Sequence, residues 1–496
     1  MSSAVAAQPV VKPRRNIELV LLVLALLVGI GASVMVGINN PDSFNKDFWF
    51  QSILLAVASL AVHMTLRFRA KYADPFILPI VVALNGLGLA MIHRLDGPKS
   101  DVGNTQLRWT LIAVVCTIVL IWFLKDHRRL RRFTYISLAA SAVLLVLPLV
   151  PGLSAGEING ANLWIKLGPF TFQPGEIAKI TLAIFFAGYL SVNRDLILLA
   201  GRKVGKLQFP RFRDMGPMLA AWAVSIGILV LQRDMGTSFM FFSLFMVMIY
   251  VATGRVSWVI IGLVLIAVAG VVAAQLFSHV KYRMESWSNA FDPEIYNRDL
   301  GGSYQIVQGL FGMADGGVFG TGLGQGQPNR VPFSNSDMII ASFGEELGLI
   351  GLSAMLLLYL LLITRGFRAA LGTRDSFGKL LGVGLSFVMA VQCFVVIGGV
   401  TRLIPLTGLT TPFLAAGGSS LLANWIVAGL LLMISNVARG PVDTSPLRDG
   451  EAPVSGPSAT AEVPSRPTTP ALGTAQSGTP STAQSRQAQS GQEVHP

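Results

Sequence analysis

The chain has 496 residues, 52% of them hydrophobic and 13% charged, with a mean hydropathy of +0.60. Soluble domains carry about 25% charged residues, so a soluble globular class is excluded and a polytopic membrane protein is indicated. The net charge of +12 reads as basic loops held on the cytoplasmic face rather than as a nucleic-acid surface, and Cys116 and Cys393 lie in apolar runs that exclude a disulfide framework or a cysteine metal cluster.

Twelve apolar stretches have the length that crosses a hydrocarbon core as helix, about 17–25 residues. They lie near 17–38, 48–66, 76–93, 108–124, 134–150, 175–191, 215–231, 236–253, 257–277, 338–363, 378–399 and 419–437. None alternates polar and apolar residues as a barrel strand would, so the fold class is all-α. The first stretch exceeds the core of a signal peptide and reads as an uncleaved helix.

Basic residues set the orientation. Lys12, Arg14 and Arg15, then Arg67, Arg69 and Lys71, then Lys125, Arg128, Arg129, Arg131 and Arg132 fall in alternate segments, and the 192–214 loop continues the series. Both termini are therefore expected in the cytoplasm, with the polar 278–335 segment outside. From 438 onward Ser, Thr, Pro, Gly, Ala and Gln dominate, which predicts a disordered cytoplasmic tail over 438–496.

Several stretches carry chemistry. In "GANLWIKLGPFTFQPGEIAKI", Pro174 suits a first helical turn, and Glu176 and Lys179 fall three apart on one face inside the membrane. Ionisable residues there point to function or to a structural pair. "LQRDMGTSF" is a tight turn in which Arg233 and Asp234 are expected to pair locally. In the long polar segment, Lys281 and Arg283 could meet a phosphate, and Asp292–Pro293 is a turn starter by its own chemistry. The glycines of 301–327 lack the Gly-Lys-Ser/Thr of a nucleotide loop. Asp337 is expected to cap the tenth span, with Glu345 and Glu346 inside it. "GGVTRLIPLTGLTTPFLAAGGSSLLANW" suits a broken or re-entrant passage that lines a cavity.

These residues together resemble the SEDS family of shape, elongation, division and sporulation proteins. The matching pieces include Gly160–Ala161 with Trp164, the run Gln173, Pro174, Glu176, Ile177, Ala178, Lys179, then Asp234 with Gly236–Thr237, and Asp292–Pro293 followed by Tyr304–Gln305. Further along come Gly316–Gly317, Gly322–Leu323–Gly324, Asp337, Glu345–Glu346–Leu347–Gly348, Thr407–Gly408 and Gly417–Gly418–Ser419. The family core carries about ten spans, so residues 17–66 read as an N-terminal addition, after a cytoplasmic segment 1–16 and ahead of a core domain 67–437. Leu163, Arg233, Asn335, Val396, Arg402 and Ala415–Ala416 depart from the family pattern. So does an insertion between Pro293 and Tyr304, and the departures resemble the RodA branch of high-GC Gram-positive bacteria more than FtsW.

The resemblance implies a peptidoglycan glycosyltransferase that polymerises lipid II outside the cytoplasmic membrane of a bacterium. It also implies a class B penicillin-binding protein as the transpeptidase partner, with other elongation or division proteins nearby and membrane lipid around it. The family's essential Asp falls on Asp292, the catalytic candidate; Lys281, Arg283, Glu176, Lys179, Tyr304, Gln305, Asp337 and Arg402 are the substrate-binding candidates. An ordinary Asp, with a pKa near 3.9, is a weak base, so a general-base role asks the site to strengthen it against the nearby Arg283. The alternative is that Asp292 holds a divalent cation, Mg or Mn, on the leaving diphosphate. The rival functions are a flippase for the lipid-linked precursor and a scaffold that docks a partner synthase.

Overall fold

The computed structural model describes residues 12–39, 46–96, 101–158, 161–168, 170–199, 201–204, 207–210, 216–299 and 301–441. The predicted disordered tail lies outside the described residues from 442 onward, as does Gly160 of the sequence motif.

Fifteen α-helices are present among the described residues: α1 Arg15–Asn39, α2 Lys46–Arg69, α3 Ile77–Leu95, α4 Val102–Leu124, α5 Thr134–Val146, α6 Pro174–Leu199, α7 Gly216–Leu231, α8 Met235–Thr253, α9 Ser257–Leu276, α10 Ser278–Ser288, α11 Pro293–Tyr296, α12 Tyr304–Gly316, α13 Ile339–Gly372, α14 Ser376–Val400 and α15 Gly418–Arg439. Eleven described segments are long and apolar enough to cross a bilayer. The remaining predicted span, 215–231, is the apolar helix α7, which has only 16 residues and so reaches about 24 Å. The protein is an all-α multi-pass membrane protein.

Two short antiparallel hairpins interrupt the helices. β1 Ile165–Leu167 pairs with β2 Phe170–Phe172, and β3 Gly201–Val204 with β4 Leu207–Pro210. The first packs its aromatic residues on α4: the Trp109 ring lies 5.4 Å from Phe170 and 6.3 Å from Phe172.

Burial sorts the helices into inner and outer. Every residue of α3 from Ile77 to Ile92 is buried, and α14 and α15 bury most of their length. On α9 only Ser257, Trp258 and Gly262 are buried; the rest of that apolar helix faces outward, as expected where lipid is the solvent.

The 278–335 segment, expected as a loop, is itself about half helical. It is built from α10, α11 and α12 with tight turns between them. Beside it runs the irregular passage 401–417, whose backbone polar groups are met by side chains from several helices. Gln106 on α4 donates to the Ala415 carbonyl at 3.1 Å and accepts from the Gly417 N–H at 3.1 Å. Gln392 on α14 donates to the Thr410 carbonyl at 2.9 Å, and the Tyr359 hydroxyl on α13 donates to the Pro412 carbonyl. Irregular backbone between spans is tolerated only where protein or water satisfies it, and here protein does. The passage also presses on α3 so closely that a Cβ at Gly88 would lie 2.5 Å from the Leu414 carbonyl oxygen.

Glu345 and Glu346 sit in the first turns of α13 but face the glycine-rich turns of 320–327. Glu345 accepts from the Gln327 N–H at 2.5 Å and Glu346 from the Gly324 N–H at 2.9 Å. Arg94 on α3 lies 3.4 Å from Glu346 and donates to the Gly326 carbonyl at 3.0 Å. These carboxylates hold a turn in place.

Candidate functional site

Asp292 occupies the turn between α10 and α11. Its backbone is extended (φ −66°, ψ 127°), and its Oδ1 accepts from the Glu294 N–H at 2.9 Å, with Pro293 in the first helical position. This is the turn that Asp-Pro chemistry predicts. The carboxylate is exposed. The start of α12 closes on the same turn: Ser303 Oγ donates to the Ala290 carbonyl at 2.5 Å and the Ser303 N–H to the Ile295 carbonyl at 3.2 Å. Tyr304 then stands exposed, with its ring edge-on to Tyr296 at 5.3 Å.

The four cations proposed from sequence have different fates. Lys281 is exposed, its Nζ 3.9 Å from Glu285, which is also held by Arg298 at 2.8 Å. Arg402 is drawn into a staple: its Nε and Nη2 donate to the Trp287 and Ser288 carbonyls, each at 2.8 Å. Trp287 returns a bond to the Arg402 carbonyl at 3.1 Å, and the guanidinium lies 5.4 Å from the Phe291 ring centre. The late passage is thereby bound to the Asp292 turn. Lys179 is buried within the membrane core. Arg283 is half-buried, and the expected pull on Asp292 is corrected by its surroundings, because the carboxylates whose charge acts on it are Asp234 and Asp337.

Arg283 lies at the centre of a second polar cluster. Its Nη1 donates to the Thr407 carbonyl at 2.9 Å and approaches that of Leu406 at 3.4 Å. Burial lowers its pKa, while Asp234 and Asp337 pull it back up. Burial raises the pKa of Asp337, opposed by its own backbone N–H, Ser336, Gln305 and Arg283. Gln305 approaches this carboxyl, yet its Nε2 has no hydrogen-bond partner of good geometry among the described residues. Asp337 does not cap α13: Met338 holds that position and no side chain caps it. The Asp337 carboxylate instead takes a 3.3 Å bond from Ser336.

Asp234 is the residue that the sequence placed wrongly. It does not pair with Arg233, which turns outward to Glu157 at 3.0 Å. Asp234 is buried and caps α8 by accepting from the Thr237 N–H at 2.9 Å. Burial raises its pKa, against Thr237 and Arg283 and together with Glu176.

Below this cluster lies the pair expected on α6. Lys179 Nζ donates to Glu176 Oε2 at 2.5 Å, to Gln392 Oε1 at 3.0 Å and to Asn424 Oδ1 at 3.5 Å. Lys179 and Glu176 are 1% and 4% exposed, and the ammonium is surrounded by acceptors from three helices. Gln392 and Asn424 were not foreseen: each is a single amide in an apolar run, more than 200 residues from its partner.

A bundle of membrane-crossing helices that carries a helical polar segment, stapled to an irregular passage and bearing an exposed, helix-capping carboxylate, defines a polytopic membrane protein with a candidate site on its surface. The family model described as "Cell cycle protein", covering FtsW, RodA and SpoVE, matches residues 74–440, and the chain belongs to that family. Helices α1 and α2 precede the matched region. The chain is 46% identical over 454 residues to the peptidoglycan glycosyltransferase RodA of Mycobacterium tuberculosis, covering 90% of this chain and 96% of that one. It is 32% identical over 376 residues to a probable peptidoglycan glycosyltransferase FtsW of Trichlorobacter lovleyi, covering 74% and 94%. Among solved structures, a chain of a peptidoglycan synthase complex that coordinates polymerization and crosslinking superposes with a TM-score of 0.58 at 26% identity, covering 74% of this chain and 98% of that one.

Proposed function

We propose that this chain is a peptidoglycan glycosyltransferase that polymerises lipid II at the outer face of the bacterial cytoplasmic membrane and serves cell elongation. The observation that carries the reading is the 46% identity to a RodA over nine-tenths of the chain, against 32% to an FtsW over three-quarters. Both termini then lie in the cytoplasm, with the α10–α12 segment outside. Residues 17–66 form an addition to the family core.

The reaction joins the 4-hydroxyl of one sugar to the anomeric carbon of another, which leaves as polyprenyl diphosphate. A hydroxyl is a poor nucleophile, and a positioned base contributes about 10²–10⁴-fold. Asp292 is that base: its carboxylate is exposed to an incoming sugar and is oriented by its own turn. Lys281 is the exposed cation for the diphosphate, and Tyr304 lines the approach. Arg283 and Arg402, engaged with backbone carbonyls of the late passage and of α10, position the walls of the site. Among the described residues no three His, Cys, Asp or Glu side chains are grouped to hold a metal. A magnesium or manganese ion at this site would therefore bind Asp292 as one protein ligand and take its remaining oxygens from the diphosphate and water.

A class B penicillin-binding protein is the proposed partner, and the structural likeness to a chain of a synthase complex supports it. The test is reconstitution with such a partner and lipid II in detergent, where no leaflet must be crossed. Glycan polymer is expected from the wild type and none from Asp292→Ala, with the complex intact. Undiminished polymer from that variant would remove the catalytic assignment. Activity confined to sealed vesicles loaded on the inner leaflet would point instead to a flippase.

A further inference from the structure

Beyond Tyr304, which lines the approach to Asp292, the mechanism leaves unused the face of α12 that continues from it. Tyr304, Gln308, Phe311 and Asp315 recur at i, i+4, i+7 and i+11, which places them in one line along the helix, about 16 Å from end to end. The line starts at the Asp292 turn. Tyr304 is 44% exposed and Phe311 52%, and Phe291, the residue before Asp292, is 56% exposed; a contiguous line of exposed rings of this kind marks an interaction surface.

The line is rigid. Its opposite side is pressed on α13 so tightly that a Cβ at Gly316 would lie 2.2 Å from the Gly344 carbonyl oxygen and one at Gly309 2.4 Å from the Met338 side chain. The exposed rings are held as well. Phe291 and Phe311 have centroids 6.3 Å apart, Tyr304 meets Tyr296, and the Tyr296 hydroxyl accepts from Gln308 Nε2 at 2.9 Å.

The chemistry of the face selects its ligand. Aromatic rings offer apolar faces on which the C–H faces of pyranose rings stack, and the amide of Gln308 and the carboxylate of Asp315 supply partners for hydroxyl and N-acetyl groups. α12 contains no Lys or Arg, which disfavours an anionic lipid surface. Alternation of rings with polar side chains suits a neutral polysaccharide.

We infer that the Tyr304–Asp315 face of α12, together with Phe291, is a binding track for the growing glycan strand and holds it beside Asp292 between additions. This inference rests on the polymerase reading above and adds to it the means by which product is retained.

The test uses the full chain with its transpeptidase partner, lipid II and the variant Phe311→Ser combined with Gln308→Ala. Mean strand length on gels is expected to fall at least threefold, while the rate of lipid II consumption stays within twofold of wild type. Phe311→Tyr, which keeps a ring, should restore the length. As an independent readout, glycan oligosaccharides stripped of lipid and diphosphate should bind the wild type in calorimetry and bind the double variant at least fivefold more weakly. Unchanged strand length, or unchanged oligosaccharide affinity, would overturn the track. Loss of co-purification with the partner at normal oligosaccharide affinity would assign the face to protein docking. A wild type that makes no polymer but still binds the oligosaccharides in the track-dependent way would sink the polymerase reading and leave the track standing.

Discussion

The Glu176–Lys179 pair and the Asp292 turn are both built from residues that a membrane protein uses sparingly, but they are held in opposite ways. Lys179 has acceptors on α6, α14 and α15 and is almost wholly buried; Asp292 has one backbone N–H and otherwise faces water. A buried charge whose bonds run to three helices ties those helices together. An exposed carboxylate fixed only through its own turn keeps bonding capacity in reserve. On the function proposed above, burial within the bundle marks the frame and exposure at its end marks the chemistry.

The comparison breaks most visibly at Asp292. Asp292→Ala should lower lipid II polymerisation by at least about 100-fold, the lower end of what a positioned base contributes, with stability in detergent reduced by no more than the roughly 1 kcal/mol that a lost cap costs. A matching loss of stability would make Asp292 part of the frame.

Lys179→Ala should do the reverse, since removing one partner of a buried pair costs about 3–5 kcal/mol. Folded yield and Tm should fall, and Glu176→Gln with Lys179→Met should recover most of the loss. If that double variant folds and still cannot polymerise, the pair acts in catalysis and the contrast fails.

Asp375, at the start of α14, is an intermediate case. Burial works against its charge, but bonds from His127 at 3.2 Å, Gly378 N–H at 2.6 Å and Arg128 at 3.3 Å hold its pKa at about 2, from an ordinary 3.8. A carboxyl with a lowered folded pKa adds stability above the unfolded value and loses it as pH falls through the folded one. The contribution, roughly 2 kcal/mol by linkage, should vanish as pH drops from 3.8 toward 2. Asp375→Asn should show no such decline when acid unfolding is followed by fluorescence.

Asp337 carries the opposite sign. Its raised pKa leaves the folded state holding a proton over a range where the unfolded chain has released it, so stability falls as pH rises through that range. Asp337→Asn should flatten the pH dependence of Tm above the ordinary carboxylate range; a slope equal to wild type would show that Asp337 is not the group responsible. The smallest effect is expected from ending the chain after Pro441. Polymerisation in detergent should not change, because the residues removed are poor in the large apolar side chains a core needs.

The spans and the Asp292 turn were legible because each is written in neighbouring residues: an apolar run sets a helix, and Asp before Pro sets a turn. Glu176 and Lys179 were legible as a pair at i and i+3. What could not be read was convergence. Asp234, Arg283, Asp337 and the 406–407 carbonyls come from four separate stretches, and no local pattern says that they meet. Local reasoning therefore gave Asp234 its sequence neighbour Arg233 as a partner and gave Asp337 a cap to make; burial decided otherwise in both cases. The helical character of the 278–335 segment was hidden by its polar composition, since its helices are stabilised by packing on one another and on α13.

The side chains that complete the 401–417 passage come from α4, α10, α13 and α14, all of them made before it on the ribosome. Its donors are therefore in position when it emerges, whereas a passage of this kind placed early in the chain would meet lipid with its carbonyls bare. The order of the elements along the polypeptide is also the order in which they leave the ribosome: scaffold first, irregular passage next, and then α15, which contributes Asn424 to the acceptors around Lys179.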